Sequence, residues 1–102
     1  MNDKNVLNVL SVYSNDVTDW VIAYSREDAV KVWEQTAGES YNIEDCGEFV
    51  KEEDNKNITF FDEDSNTTIP VNATRVSDRM FRATCREWAD TLGRSFFCST
   101  EC

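Results

Sequence analysis

The side chains that could do chemistry in this chain are few in kind. There is no histidine among the 102 residues. That removes the commonest general base, the usual partner of a serine or cysteine nucleophile, and most catalytic zinc sites. No GxSxG elbow, phosphate-binding P-loop or GxGxxG turn occurs. Acid–base work would have to draw a carboxylate pair from the twenty Asp and Glu residues. Such a pair needs one acid in an apolar pocket, and most of these acids stand in polar turns. The expectation is a protein that is not an enzyme.

The four cysteines, Cys46, Cys85, Cys98 and Cys102, are the other reactive groups. In an exported protein they would allow three disulfide pairings. The segment Met1–Asn5 is polar, and Asn8 and Ser11 interrupt the apolar stretch after it, which makes a poor signal peptide. A cytosolic protein with reduced thiols is expected, and the sequons at Asn57, Asn66 and Asn72 then carry no consequence. Cys98 and Cys102 are not spaced as a zinc knuckle. Cys85, on an apolar helical stripe, and Cys98, beside two phenylalanines, are expected as core thiols. Asp62, Asp64 and Asn66 imitate the opening of a calcium loop. Thr67 then stands where that loop needs glycine and Ala73 where it needs glutamate. No metal or cofactor is expected.

Charge is the more informative signal. The chain carries a net −10, and residues 39–64 hold ten of the acids against two lysines. Such a block makes a strong local field and repels nucleic acid and anionic lipid. Neither direct nucleic-acid binding nor membrane binding is expected, and no apolar run approaches the roughly 18 residues of a membrane span. The candidate partner-binding residues are Glu44, Asp45, Glu48, Glu52, Glu53, Asp54, Asp62, Glu63 and Asp64. They could simply solvate the surface. Displayed on hairpins, they could instead imitate nucleic-acid phosphates and enter a partner's basic groove at a steered rate. The arginines Arg75, Arg79, Arg82, Arg86 and Arg94 are expected to pair with the acidic middle rather than to bind phosphate. Trp20, Trp33 and Trp88 are expected in the core rather than in an aromatic recognition cluster.

The elements that must hold these residues follow from periodicity. Val6–Tyr13 is apolar on both faces, which predicts a central strand. Ser14-Asn15-Asp16 is a turn, and Asp19–Tyr24 completes a hairpin. Ser25 caps a helix over 26–37, with acids in its first turn, Ala29, Val30, Trp33 and Ala37 on its apolar stripe, and Gly38 closing it. Residues 39–46 read as an acidic loop and Glu48–Glu53 as a short strand around Phe49. Ile58–Phe61, Thr67–Val76 and Arg79–Ala83 read as further strands, Pro70 putting the second at an edge or a strand start. Thr84 and Glu87 form a capping box before a stripe of Cys85, Trp88, Ala89 and Leu92. Ser95–Ser99 reads as a last strand. The expected fold is one α+β domain over 1–102, an antiparallel sheet of five to six strands with both helices on one face.

The segment Asp19–Gly38 (DWVIAYSREDAVKVWEQTAG) resembles a pattern of small accessory proteins of tailed bacteriophages. In it a strand reading W-V-x-A runs into a helix opening S-x-E-D-A. The ending around Glu87-Trp88-Ala89 and Phe96–Glu101 has a similar character, and the likeness covers roughly a third of the chain. The resemblance implies a small phage accessory protein, a class that includes anti-CRISPR-like inhibitors of host defence nucleases. It carries no site residue onto this chain. The function expected is a non-catalytic inhibitor of a host nucleic-acid-handling protein, bound through the acidic residues. The alternative is a structural component of a particle or complex whose acids serve only solubility.

Overall fold

The computed structural model describes residues 9–17, 19–62 and 67–99. Three helices and seven strands lie among them. Strand β1 (Ser11–Ser14) and β2 (Asp19–Ala23) form the expected hairpin, pairing Val12 with Ile22 and Tyr13 with Val21. The first three residues of the predicted opening strand, 6–8, lie outside the described residues.

Alternation within this hairpin decides the architecture. Val12 and Ile22 point to one face of the sheet, Tyr13 and Val21 to the other, and all four are buried. A sheet apolar on both faces needs a cover on each side. Helix α1 (Arg26–Ala37) supplies one cover. Ser25 caps it, accepting from the Asp28 N–H, and Gly38 ends it in the left-handed region at φ +76°. Its Ala29 and Val32 pack against Tyr13, Val21, Ala23 and Phe49. Val32 was not on the stripe predicted from the sequence, and Ala37, which was, stays exposed. Helix α2 (Ile43–Cys46) follows, then β3 (Val50–Lys51), which pairs with β1.

The other face is covered by helix α3 (Cys85–Leu92) and a second sheet. Strands β4 (Asn57–Phe61), β5 (Thr74–Ser77) and β6 (Met80–Thr84) form it in the order β4-β6-β5. Strand β7 (Ser95–Ser99) returns to the first sheet beside β2, giving β3-β1-β2-β7. Val12 and Ile22 meet Ile58, Ala83, Trp88, Ala89 and Phe97 in the larger core. Trp88 is fully buried and its Nε1 donates to the Ile58 carbonyl at 3.1 Å. Trp20 and Trp33 are half-buried beside the two cores. Thr84 and Glu87 make both halves of the predicted capping box.

The fold is therefore α+β, but the single sheet of five to six strands with both helices on one face is replaced by two antiparallel sheets. The principal helices α1 and α3 lie on opposite faces of the first sheet. The physical reason is polarity. In β4 and β6, Ile58 pairs with Ala83 and Phe60 with Phe81 on the core side, while Thr59 and Arg82 pair on the exposed side. Those strands can bury one face only, so they stack on the core instead of extending a sheet covered twice. The long strand expected over Thr67–Val76 shortens to Thr74–Ser77. Pro70 lies in a turn, where its carbonyl accepts from Ala73 N at 3.0 Å.

Candidate partner-binding surface

The acidic middle does not form one uniform face. The segment read as an acidic loop contains helix α2, and its signals are local. The Asn42 side chain accepts from the Glu44 and Asp45 N–H groups at 3.0 and 3.3 Å, and its amide donates to Asp45 Oδ2 at 3.0 Å. Gly47 ends the turn at φ +79° and ψ 171°, a conformation nearly restricted to glycine. A Cβ there would also stand 2.2 Å from Asp16 Oδ2. That close approach is how the β1–β2 turn docks on α2, with Asp16 N donating to the Cys46 carbonyl at 2.9 Å.

Tyr41 locks this junction. Its hydroxyl donates to the Gly47 carbonyl and accepts from Asn15 Nδ2 at 3.0 Å. Its ring stacks on Phe49 at 5.1 Å and meets Trp33 edge-on at 4.9 Å. Trp33 Nε1 in turn donates to Asp19 Oδ2 at 2.9 Å. These contacts gather acids distant in sequence. Burial pushes the Cys46 thiol above its ordinary value, and the charges of Asp19, Asp45 and Glu39 push it further. Burial likewise raises Tyr41, the Asn15 hydrogen bond opposes this, and Cys46, Asp19 and Asp16 add to the rise. Asp19, Glu39 and Asp45 thus act on Cys46, and Asp16 and Asp19 on Tyr41, with Glu44 exposed on the same one-turn helix.

The remaining sequence-predicted acids are held differently. Glu48 pairs with Arg26 at 3.3 Å. Asp54 pairs with Lys51 at 3.7 Å and with Arg86 at 3.8 Å. Glu52 accepts from Ser14 Oγ and from Lys56 Nζ, the latter at 2.9 Å. Burial works to raise Glu52, but those two hydrogen bonds and the Lys56 charge outweigh it and hold the carboxyl below its ordinary range. Lys56 also sits over the Trp20 ring at 5.4 Å. Asp62 is buried, its Oδ1 accepting from Thr67 N at 3.4 Å. Glu53 is exposed. Glu63 and Asp64 lie outside the described residues. Of the nine predicted residues, Glu44 and Asp45 stand in the cluster around α2, whereas Glu48, Glu52, Asp54 and Asp62 are tied into the fold.

Sequence reasoning missed Asp16 and Asp19 because they come from a turn and a strand outside the acidic middle, to which Glu39 was already assigned. The run Asn42 to Gly47, a capping residue, two acids and a closing glycine, was the available sign of α2. Three of the five arginines form ion pairs among the described residues: Arg86 with Asp54 and Asp90, Arg75 with Asp78, and Arg94 with Asp28. Only the first of these reaches the acidic middle. Cys85 is buried, and burial pushes its thiol up to about 11. The Cys98 side chain and Cys102 lie outside the described residues.

Among the described residues, no group of three or more His, Cys, Asp or Glu side chains could hold a metal ion. No helix among them is long and apolar enough to cross a membrane. Beside α2 lies an open groove of about 230 Å³, lined by Val30, Tyr41, Ile43 and Phe49 with Arg26, Glu27 and Glu48 at its rim. No known protein family, curated protein or solved structure matches this chain.

Proposed function

We propose that this protein is a non-catalytic binding module that docks its acidic α2 end onto a basic surface of a partner protein. The observation that carries this reading is the split among the acids. Glu48, Glu52 and Asp54 are matched with Arg26, Lys56, Lys51 and Arg86. Asp19, Glu39, Glu44 and Asp45 take part in none of the ion pairs found among the described residues. Like charges held together by a built junction of Asn15, Tyr41 and Gly47 raise the local field. Such a field favours a positively charged partner and speeds its approach.

A partner that handles nucleic acid presents the required basic groove. The likeness of Asp19–Gly38 to phage accessory proteins extends the proposal to a host protein, for example a defence nuclease, blocked sterically and electrostatically without turnover. A second reading, an accessory component held by apolar contact, draws on the exposed Phe61 and Val76 of the second sheet.

The test is capture from a bacterial lysate at about 50 and 300 mM salt, where the screening of exposed charges differs. Wild type is compared with E39Q/E44Q/D45N. The acidic reading expects a nucleic-acid-handling protein, held at low salt, displaced by added duplex DNA and lost with the variant. Prey retained equally at high salt and by the variant would overturn it and favour the apolar reading.

A further inference from the structure

The second sheet reverses the charge of the rest of the molecule. Strands β4, β5 and β6 contain two arginines and no acid, in a chain that holds twenty acids. The register sorts their outer face. Thr59, Arg82 and Thr74 stand in one row, and Phe61, Met80 and Ser77 in the next. Arg82 is exposed on the central strand and enters none of the ion pairs found among the described residues. Phe61, diagonal to it, is 54 % exposed. Asp78, in the turn after β5, is already paired with Arg75. A free guanidinium flanked by two hydroxyls and an exposed ring suits a carboxylate and the apolar stem that carries it.

Acids that match this face lie on the other side of the same protein. The second sheet stacks on the α3 face of the first sheet. Helix α2 is tied through Tyr41 to the core on the α1 face. One molecule thus presents an unmatched basic face and an unmatched acidic end in opposite directions. Such a pair is satisfied by a head-to-tail contact between copies, which leaves one of each surface free and lets the assembly extend. The net charge of −10 opposes the approach of copies. Its reach is only about 8 Å at physiological ionic strength, so the groups in contact decide. Three strands about 4.8 Å apart and five residues long make a face of roughly 250 Å². That is well below the ~800 Å² per partner of a stable complex, so the contact is weak.

Resting on the acidic docking reading, we propose that a second copy of this protein is a basic partner of the α2 end, docked through the outer face of its second sheet. Glu44 and Asp45 of one copy meet Arg82 of the next, between Thr59 and Thr74, and the contact covers Phe61 and Met80. The acidic end is held in this way until a partner with a larger basic groove displaces it.

The test is sedimentation equilibrium of the full chain from about 10 µM to about 1 mM in about 0.1 M salt, the range in which a weak contact is read. The average mass of wild type should climb with concentration, pass twice the monomer without levelling, and fall back at about 0.5 M salt. Arg82→Glu and E44K/D45K should each stay monomeric. Their equimolar mixture should associate again, because the intact acidic end of the first meets the intact basic face of the second while both remain net negative. Phe61→Ser should weaken association about tenfold, and Arg82→Gln should act as a milder form of Arg82→Glu. Urea midpoints near that of wild type show that the variants are folded. Wild type that stays monomeric throughout overturns the proposal, and lysate capture then judges the docking reading separately. Association lost in E44K/D45K but unchanged by the Arg82 and Phe61 variants overturns the role of the second sheet and keeps the acidic docking reading. A plateau at the dimer overturns the head-to-tail contact.

Discussion

Two triple variants with the same change in charge should differ sharply in stability. E39Q/E44Q/D45N neutralises acids of the α2 cluster, and E48Q/E52Q/D54N neutralises acids that have cationic partners. In the second variant, Glu52 loses a partly buried charge that accepts from Ser14 and Lys56. Hydrogen bonds to a charged group contribute about 1.5–3 kcal/mol, with the lower end appropriate because Lys56 is half exposed. The Arg26–Glu48 pair and the Asp54 pairs are largely exposed and contribute about 0.2–1 kcal/mol each. The expected loss is about 2–3 kcal/mol. In the first variant, relief of like-charge contact contributes about 0.2–0.5 kcal/mol per pair, and loss of acids from the first turn of α2 offsets part of it. Its net change should stay within about 0.5 kcal/mol of zero. For a domain of this length a gap of 2–3 kcal/mol is roughly 10–20 °C in Tm. Urea unfolding followed by tryptophan fluorescence gives both values, with unchanged m-values showing that the comparison is between like states. Equal destabilisation by the two variants would refute the division of the acids into a matched set and an unmatched one.

Three further outcomes follow from the same geometry. Gly47→Ala should cost about 1–3 kcal/mol through its positive-φ backbone and should displace Asp16 from α2; chemical denaturation reads the first, and the Asn15 and Tyr41 resonances read the second. Asp28→Asn should cost about 1–2 kcal/mol, because Arg94 grips both Asp28 oxygens at 2.8–3.1 Å while remaining partly exposed; a double-mutant cycle with Arg94→Gln showing no coupling would contradict this. Acid should weaken the fold through Asp28 and Glu52. The Arg94 hydrogen bonds hold Asp28 below its ordinary range, and the Ser14 and Lys56 bonds hold Glu52 low against burial. The unfolded state therefore binds more protons, so this stability is complete above the ordinary carboxylate range and is lost as pH falls through the lowered folded values. A urea midpoint whose acid dependence is the same in wild type and in D28N/E52Q would rule these two groups out as the source.

The local elements were legible because their causes are local. Ser25 and Gly38 bound α1, Thr84 and Glu87 start α3, and the alternation of Val12 with Tyr13 already asks for cover on both faces of the first hairpin. Helix α2 was missed because one turn offers too little apolar periodicity to outweigh a polar, acidic composition. Its signature lay in Asn42 and Gly47 instead.

Composition and order alone determined the acidic balance, the absence of histidine, the α+β class and the two capped helices. Tertiary structure decided which face each helix covers, the division into two sheets, and the fate of each carboxylate. A charge is matched or unmatched only through neighbours brought across the fold. Glu52 meets Ser14 from β1, Asp54 meets Arg86 from α3, and Asp16 reaches α2 only because Gly47 lets the β1–β2 turn approach. Those distances are set by packing of the two cores, and no spacing along the chain encodes them.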